Sequence, residues 1–259
     1  MKTDRINKHI SAYSDLLLKA GSSVVREKDT QTNHFDAVNV YYDSIRKIDA
    51  NPSNTNYSCA ALRLARFIID FFDNKKHRLT KDGSLPDSFY TECSALLKKA
   101  KILNVNDNVR LISIKQMMHF MRFAGIVIKE KGHTFIANND LTDQALYFKL
   151  LNAFWDGVDW ADVFTSDPDA AADLHRDKMI FIDLLMHYND KIEVTALANE
   201  FFEMTGFASH GDAFAISFID FYLLFWLEKF TLINYYDVNN KISLELTATG
   251  KRLLAFIYN

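Results

Sequence analysis

The sequence predicts a mainly α protein with small β-hairpins, built as two consecutive units behind an N-terminal helical segment. Three observations carry that prediction. Only 8 Gly and 3 Pro occur in 259 residues, and an all-β chain needs many more turn residues. Apolar positions recur at three- and four-residue spacing through the longest segments. Two alternating stretches surround Lys131-Gly132 and Asn239-Asn240, each a hairpin signal.

The elements follow in order. Ile6, Ile10, Tyr13 and Leu17 share one helical face, which predicts a helix over 5–20 closed by Gly21. Phe35 to Ile48 reads as a second helix, with the VNVYY run leaving a strand open. DANPSNTN, at 49–56, is a linker by composition. Residues 1–56 therefore form a helical segment and linker, ahead of a unit at 57–155 and another at 156–259.

In the first unit, Cys59 to Phe72 is an apolar helix and RLTKDGSL a short extended segment. Pro86 suits the first turn of a helix running over 87–100. Val109 to Ala124 is the third helix, with Gly125 as its cap. IVIKEKGHTFIAN holds two strands, and LTDQALYFKLLNAFW closes the unit as a helix. An acidic linker, DGVDWADVFTSDPDAAAD, leads into the second unit. There Asp167 caps and Pro168 opens a helix. Arg176 to Tyr188 is helical, KIEV a short strand, and Thr195 to Met204 a helix capped by Thr195. A long helix over Asp212 to Phe230, a hairpin in TLINYYDVNNKISLEL and a final helix, TATGKRLLAFIY, complete it.

The two units superpose with an offset of 105 residues. Leu141-Thr142-x-x-Ala145-x-x-Phe148 falls on Leu246-Thr247-x-x-Gly250-x-x-Leu253, and Ile126-Val127-Ile128 on Thr231-Leu232-Ile233. The order helix, short strand, helix, helix, hairpin, helix, with LTATGKRLL and its weaker copy LTDQALYF, resembles the winged-helix superfamily. LTKDGSLPDSFY followed by FAGIVIKEKGHTFIANN is similar to a bacterial family of tandem winged-helix-like proteins, described after a plasmid open reading frame and lacking an assigned activity. The resemblance covers roughly residues 57–259 and implies tandem winged-helix-like units. It further implies that the third helix of a unit, 109–124 in the first, can enter a major groove. It supplies no catalytic residues.

Composition narrows the function classes. Cys59 and Cys93 stand alone without a C-x-x-C, which excludes a disulfide framework and a cysteine zinc site and suits a reducing cytoplasm. The opening segment is broken by Asp15 and lacks a small-residue cleavage site, so it reads as an amphipathic helix and not a signal peptide. Ala213 to Leu227 is apolar but too short for a bilayer core, which takes about 20 residues.

Charge is distributed unevenly. Residues 57–155 hold 15 Lys+Arg against 9 Asp+Glu, net +6, whereas 156–259 hold 7 against 17, net −10. Phosphate contacts dominate affinity for nucleic acid, so only the first unit is a credible binder of duplex DNA, through residues 109–133. Lys115, His119 and Arg122 stand at i, i+4 and i+7 on one face of its third helix, while Leu111, Ile114, Met118 and Met121 can face inward. Lys129, Lys131 and His133 lie in the hairpin, and Arg110 and Arg78 add to the patch. The plainer alternative is an ordinary solvated helix face and a basic turn.

The equivalent helix of the second unit, DAFAISFIDFYLLFWLEKF, is apolar nearly all round and calls for burial on more than one side. Phe214, Phe218, Phe221, Phe225 and Trp226 are its candidate interface residues, with Phe225 and Trp226 as anchors of a homodimer or an interdomain contact. Asp220 sits among them and needs a partner.

Other chemistry is weaker. Asp167, Asp169, Asp173, His175 and Asp177 lack the glycine and closing glutamate of a calcium loop. Gly206 and Gly211 have phosphate-loop spacing, but Asp212 and Ala213 replace the Lys and Ser/Thr. Ser209, His210 and Asp212 are too close in sequence for triad geometry. Cys93 lies mid-helix among apolar neighbours, where a cysteine is usually core. The expectation is a non-catalytic, cofactor-free binding protein: a DNA-associated regulator or, alternatively, a protein-interaction scaffold. An enzyme with its site in a cleft between the units is the third class.

Overall fold

A computed structural model describes residues 59–74, 79–81, 83–130, 134–137, 140–188, 191–207, 212–238 and 241–258. The readings for 5–20, 35–48, the linker at 49–56, Arg78, Lys131-Gly132, His133, Ser209, His210 and Asn239-Asn240 lie outside them. The fold is mainly α with small antiparallel hairpins. The chain divides into two compact units, Ala60–Asp159 and Trp160–Asn259, with Cys59 grouped with the second. No helix among the described residues is long and apolar enough to cross a membrane.

The basic unit begins with α1 (Ala60–Asn74), which buries Leu62, Leu64, Ala65, Ile68, Ile69, Phe71 and Phe72 along one side. In α2 (Asp87–Ala100), Phe89, Cys93 and Leu97 repeat every four residues and point into the core. Pro86 stands just outside the helix, in extended conformation, where its missing N–H costs nothing. Helix α3 (Asp107–Phe123) starts two residues earlier than the apolar pattern implies, because the Asn106 side chain accepts the Val109 N–H at 2.9 Å. It ends at Gly125, whose φ of 66° only glycine adopts without strain. The Ile126 N–H then returns to Met121 O at 2.8 Å. Strands β1 (Val127–Glu130) and β2 (Thr134–Ala137) pair antiparallel, Val127 opposite Ala137. Helix α4 (Asp143–Asn152) is capped by Thr142 and runs into a π-helical turn, Ala153–Gly157. The segment expected to extend ahead of α2 folds on itself instead. Thr80 and Ser84 exchange backbone and hydroxyl hydrogen bonds, and Gly83 turns at φ 82°.

The acidic unit starts with α5 (Trp160–Val163). Helix α6 (Pro168–His187) follows, where Asp167 accepts the Ala170 N–H at 3.0 Å and Pro168 occupies the first turn. Strand β3 (Ile192–Glu193) leads straight into α7 (Val194–Thr205). Thr195 is not its cap: the hydroxyl lies inside the first turn and donates to the Glu193 carboxylate at 3.0 Å. The long third helix is not uniform. It comprises α8 (Asp212–Phe218), a π-helical stretch over Ile219–Leu224, and α9 (Phe225–Lys229). Strands β4 (Ile233–Val238) and β5 (Lys241–Leu246) and then α10 (Ala248–Tyr258) complete the unit. The KIEV strand pairs with β5, so the sheet order is β3-β5-β4, antiparallel throughout.

The repeat is visible in the hydrogen bonds. Thr142 Oγ1 accepts the Ala145 N–H, and Thr247 Oγ1 accepts the Gly250 N–H, 105 residues further on. At the end of the third helix the offset is 106: Gly125 (φ 66°) corresponds to Thr231 (φ 60°), and Ile126 to Leu232, whose N–H reaches Leu227 O at 2.8 Å. Pairing Ile126 with Thr231 is therefore one residue out. The acidic unit crosses from the left-handed residue to the capping threonine in one residue fewer.

Candidate nucleic-acid interface

Helix α3 presents its outer side through few positions. Arg110, Ser113, Ile114, Gln116, Met117, Met118, Phe120 and Met121 are buried. Asp107, in the first turn, is exposed, and further along so are Asn108, Ile112, Lys115, His119, Arg122 and Phe123, the last six on one side of the helix. At 3.6 residues per turn these six fall within a sector of roughly 100°. The three residues expected to share a face, Lys115, His119 and Arg122, do share it, and all reach solvent.

Two departures from expectation matter. Arg110 does not belong to the face. It is 3% exposed, and its guanidinium closes the turn between α2 and α3 by donating to Val105 O at 2.5 Å and Leu103 O at 3.4 Å. It also pairs with Asp107 at 2.6 Å. That hydrogen bond, then those from Lys98, hold the Asp107 carboxyl below the ordinary carboxylate range. A guanidinium at i+3 from a first-turn aspartate looks like a surface charge in the sequence, yet here it satisfies carbonyls that the turn would leave bare. The second departure is an addition. Tyr90, on α2, lies half-buried beneath Lys115, whose Nζ stands 5.4 Å from the ring centre. Burial raises the Tyr90 phenol pKa above its usual value; the charge of Arg122 acts against that rise and that of Asp87 adds to it. No periodicity links residues 25 positions apart on different helices, so Tyr90 was illegible in the sequence.

Lys129 lies on β1, with its side chain outside the described residues, as are Lys131 and His133 entirely. Ile128, at the start of the hairpin, is 48% exposed.

The apolar helix of the acidic unit is packed within the chain. Phe218 is 3% and Trp226 0% exposed, so neither is open to a second copy of the chain as it stands. Phe218 packs on Tyr222 and Phe207, and Trp226 on Phe230. Phe221 and Phe225 are half-buried and stack on each other, with Lys229 Nζ 4.9 Å over the Phe225 ring. The Phe214 side chain lies outside the described residues. Asp220 finds its partner in Tyr235, whose hydroxyl donates to it; burial first, and the Asp220 charge second, push the phenol pKa far up.

Several of the other described sequence candidates have structural work. Asp167 is a helix cap. Asp173 and Asp177 pair with Arg176 at 2.5 and 2.7 Å, and His175 stacks on Trp160. Gly206 ends α7 at φ 71°, its N–H donating to Phe202 O. Cys93 is fully buried, and burial with the nearby Glu92 charge pushes its thiol pKa up to about 12, far from a reactive thiolate.

No family model matches the chain, and no curated protein or solved structure matches it either.

Proposed function

We propose that this chain is a non-catalytic nucleic-acid-binding protein whose basic unit contacts duplex DNA through the outer face of α3. The observation that carries the reading is the partition of that helix: Lys115, His119 and Arg122 form an exposed stripe while the opposite side, with Ile114, Met117, Met118 and Met121, is buried. A rigid helix with a cationic outer stripe can lie along or in a groove, with its cations against phosphate or base edges. The net +6 of residues 57–155 supplies attraction, and the net −10 of 156–259 keeps the other unit away from phosphate. Three helices followed by a hairpin in one unit, and a β3-β5-β4 sheet in the other, support a winged-helix-like reading of both.

The test is fluorescence anisotropy with random duplex. Binding with a dissociation constant on the order of 10⁻⁴ to 10⁻⁶ M at physiological salt is expected, weakening steeply as salt rises. Lys115→Ala with Arg122→Ala should reduce the slope of log affinity against log salt by about 2. Binding unchanged in that double variant would sink the assignment of the face.

A second reading, a protein-interaction scaffold, draws on Ile112 (38% exposed) and Phe123 (55%), which lie in the same sector. Apolar contacts of that kind are insensitive to salt, so the same titration separates the two readings.

A further inference from the structure

We infer that Tyr90 is a positioning residue of this face, a ring platform that holds Lys115, together with Arg122, as one phosphate-binding site spanning α2 and α3. The inference rests on the proposed nucleic-acid contact and names the group that organises it. Lys115 Nζ lies 5.4 Å from the Tyr90 ring centre, inside the range where the negative face of an aromatic ring attracts an ammonium. A surface lysine on a four-carbon stem otherwise loses much rotamer freedom when it meets a phosphate. Held over a half-buried ring, it has lost part of that freedom already, which is pre-organisation. Arg122 stands seven residues, two turns, along the same face of α3. Lys115 thus meets the Tyr90 ring from one helix while the ring rises from another, and the charge of Arg122 acts on the same phenol. Asp87, one turn before Tyr90 on α2 and exposed, opposes any anion placed there.

The platform and the charge can be tested separately in the full-length chain. The probes are inorganic phosphate, followed by ¹H–¹⁵N NMR, and a random duplex, followed by anisotropy. Phosphate is expected to shift the resonances of Lys115 and Arg122 together. Tyr90→Phe keeps a ring and should bind both probes within about twofold of the parent. Tyr90→Leu keeps bulk but removes the ring, and should weaken both about threefold, the loss of a modest cation–π contact. Asp87→Asn should tighten both, in a variant whose core is untouched. If Tyr90→Leu binds like the parent, or if Phe weakens binding as much as Leu, the platform is refuted. Duplex binding absent with phosphate still bound in a Tyr90-dependent way would keep the site and discard the duplex reading. Neither probe bound would discard both.

Discussion

The third helices of the two units occupy corresponding places in a repeat, yet one has an outside and the other has almost none. In α3, burial stops at a sector holding Lys115, His119 and Arg122. Across the described side chains of α8, the π-helical stretch and α9, Ser217 alone is exposed. Equivalent positions in the repeat thus present different surfaces: α3 carries charge where the packing ends, and its counterpart is packed nearly all round. A second contrast lies at the start of each unit's last helix. In the basic unit an arginine pins it: Arg66 donates to Leu141 O at 2.5 Å and pairs with Asp143 at 2.6 Å. In the acidic unit a threonine does so, through its hydroxyl and its backbone. Thr247 Oγ1 donates to Thr231 O at 2.7 Å, and the Thr247 N–H reaches Leu232 O at 3.0 Å. That close approach is why residue 250 is glycine while its counterpart is Ala145.

The largest expected effect breaks this second contrast. A Cβ added at Gly250 would stand 2.0 Å from Leu232 O, a backbone atom that cannot swing aside. Gly250→Ala should therefore cost about 3 kcal/mol or prevent folding of the acidic unit, in line with severe overpacking. Ala145→Gly at the matching site should cost only about 1 kcal/mol, through backbone entropy. Urea unfolding of both variants checks the pair, and equal losses would dissolve the contrast.

An intermediate effect separates structural from surface cations within the basic unit. Arg110→Ala strips buried carbonyls at Leu103 and Val105 of their donor and should cost about 2 kcal/mol of stability. Lys115→Ala should leave stability within about 0.5 kcal/mol of the parent and, on the proposed reading, act on duplex affinity alone. Thermal unfolding beside the anisotropy titration reads both, and a stability loss at Lys115 as large as at Arg110 would erase the distinction.

The smallest effect concerns the left-handed residue that ends each third helix. Gly125 adopts its φ freely, whereas Thr231, β-branched, holds φ at 60°. Thr231→Gly should stabilise by up to about 1 kcal/mol, the relief of that strain less the loss of a hydroxyl contact to Phe230 O. A clear destabilisation would mean that the hydroxyl outweighs the backbone.

Much of this molecule was legible because the signals are local. Asp167 with Pro168 announces a helix start, since a carboxylate that accepts a first-turn N–H and a ring with fixed φ both act within a few residues. The Lys115, His119, Arg122 stripe follows from the pitch of a helix alone. Other readings failed because distant partners decide them. RLTKDGSL and KIEV look alike as short extended runs. Among the described residues only the second pairs with a strand, because Ile192 meets Leu244, whereas Thr80 and Ser84 satisfy each other.

By itself, then, the sequence determined the helical character, the hairpins, the charge division and the candidate basic face, all of which depend on period, turn chemistry and composition. The tertiary structure alone decided that Arg110 is an internal clamp, that Phe218 and Trp226 are core, and that Tyr90 underlies Lys115. Each of these depends on which atoms of separate elements come within a few ångströms. A pattern along one element records which way a side chain points, but not what it meets there.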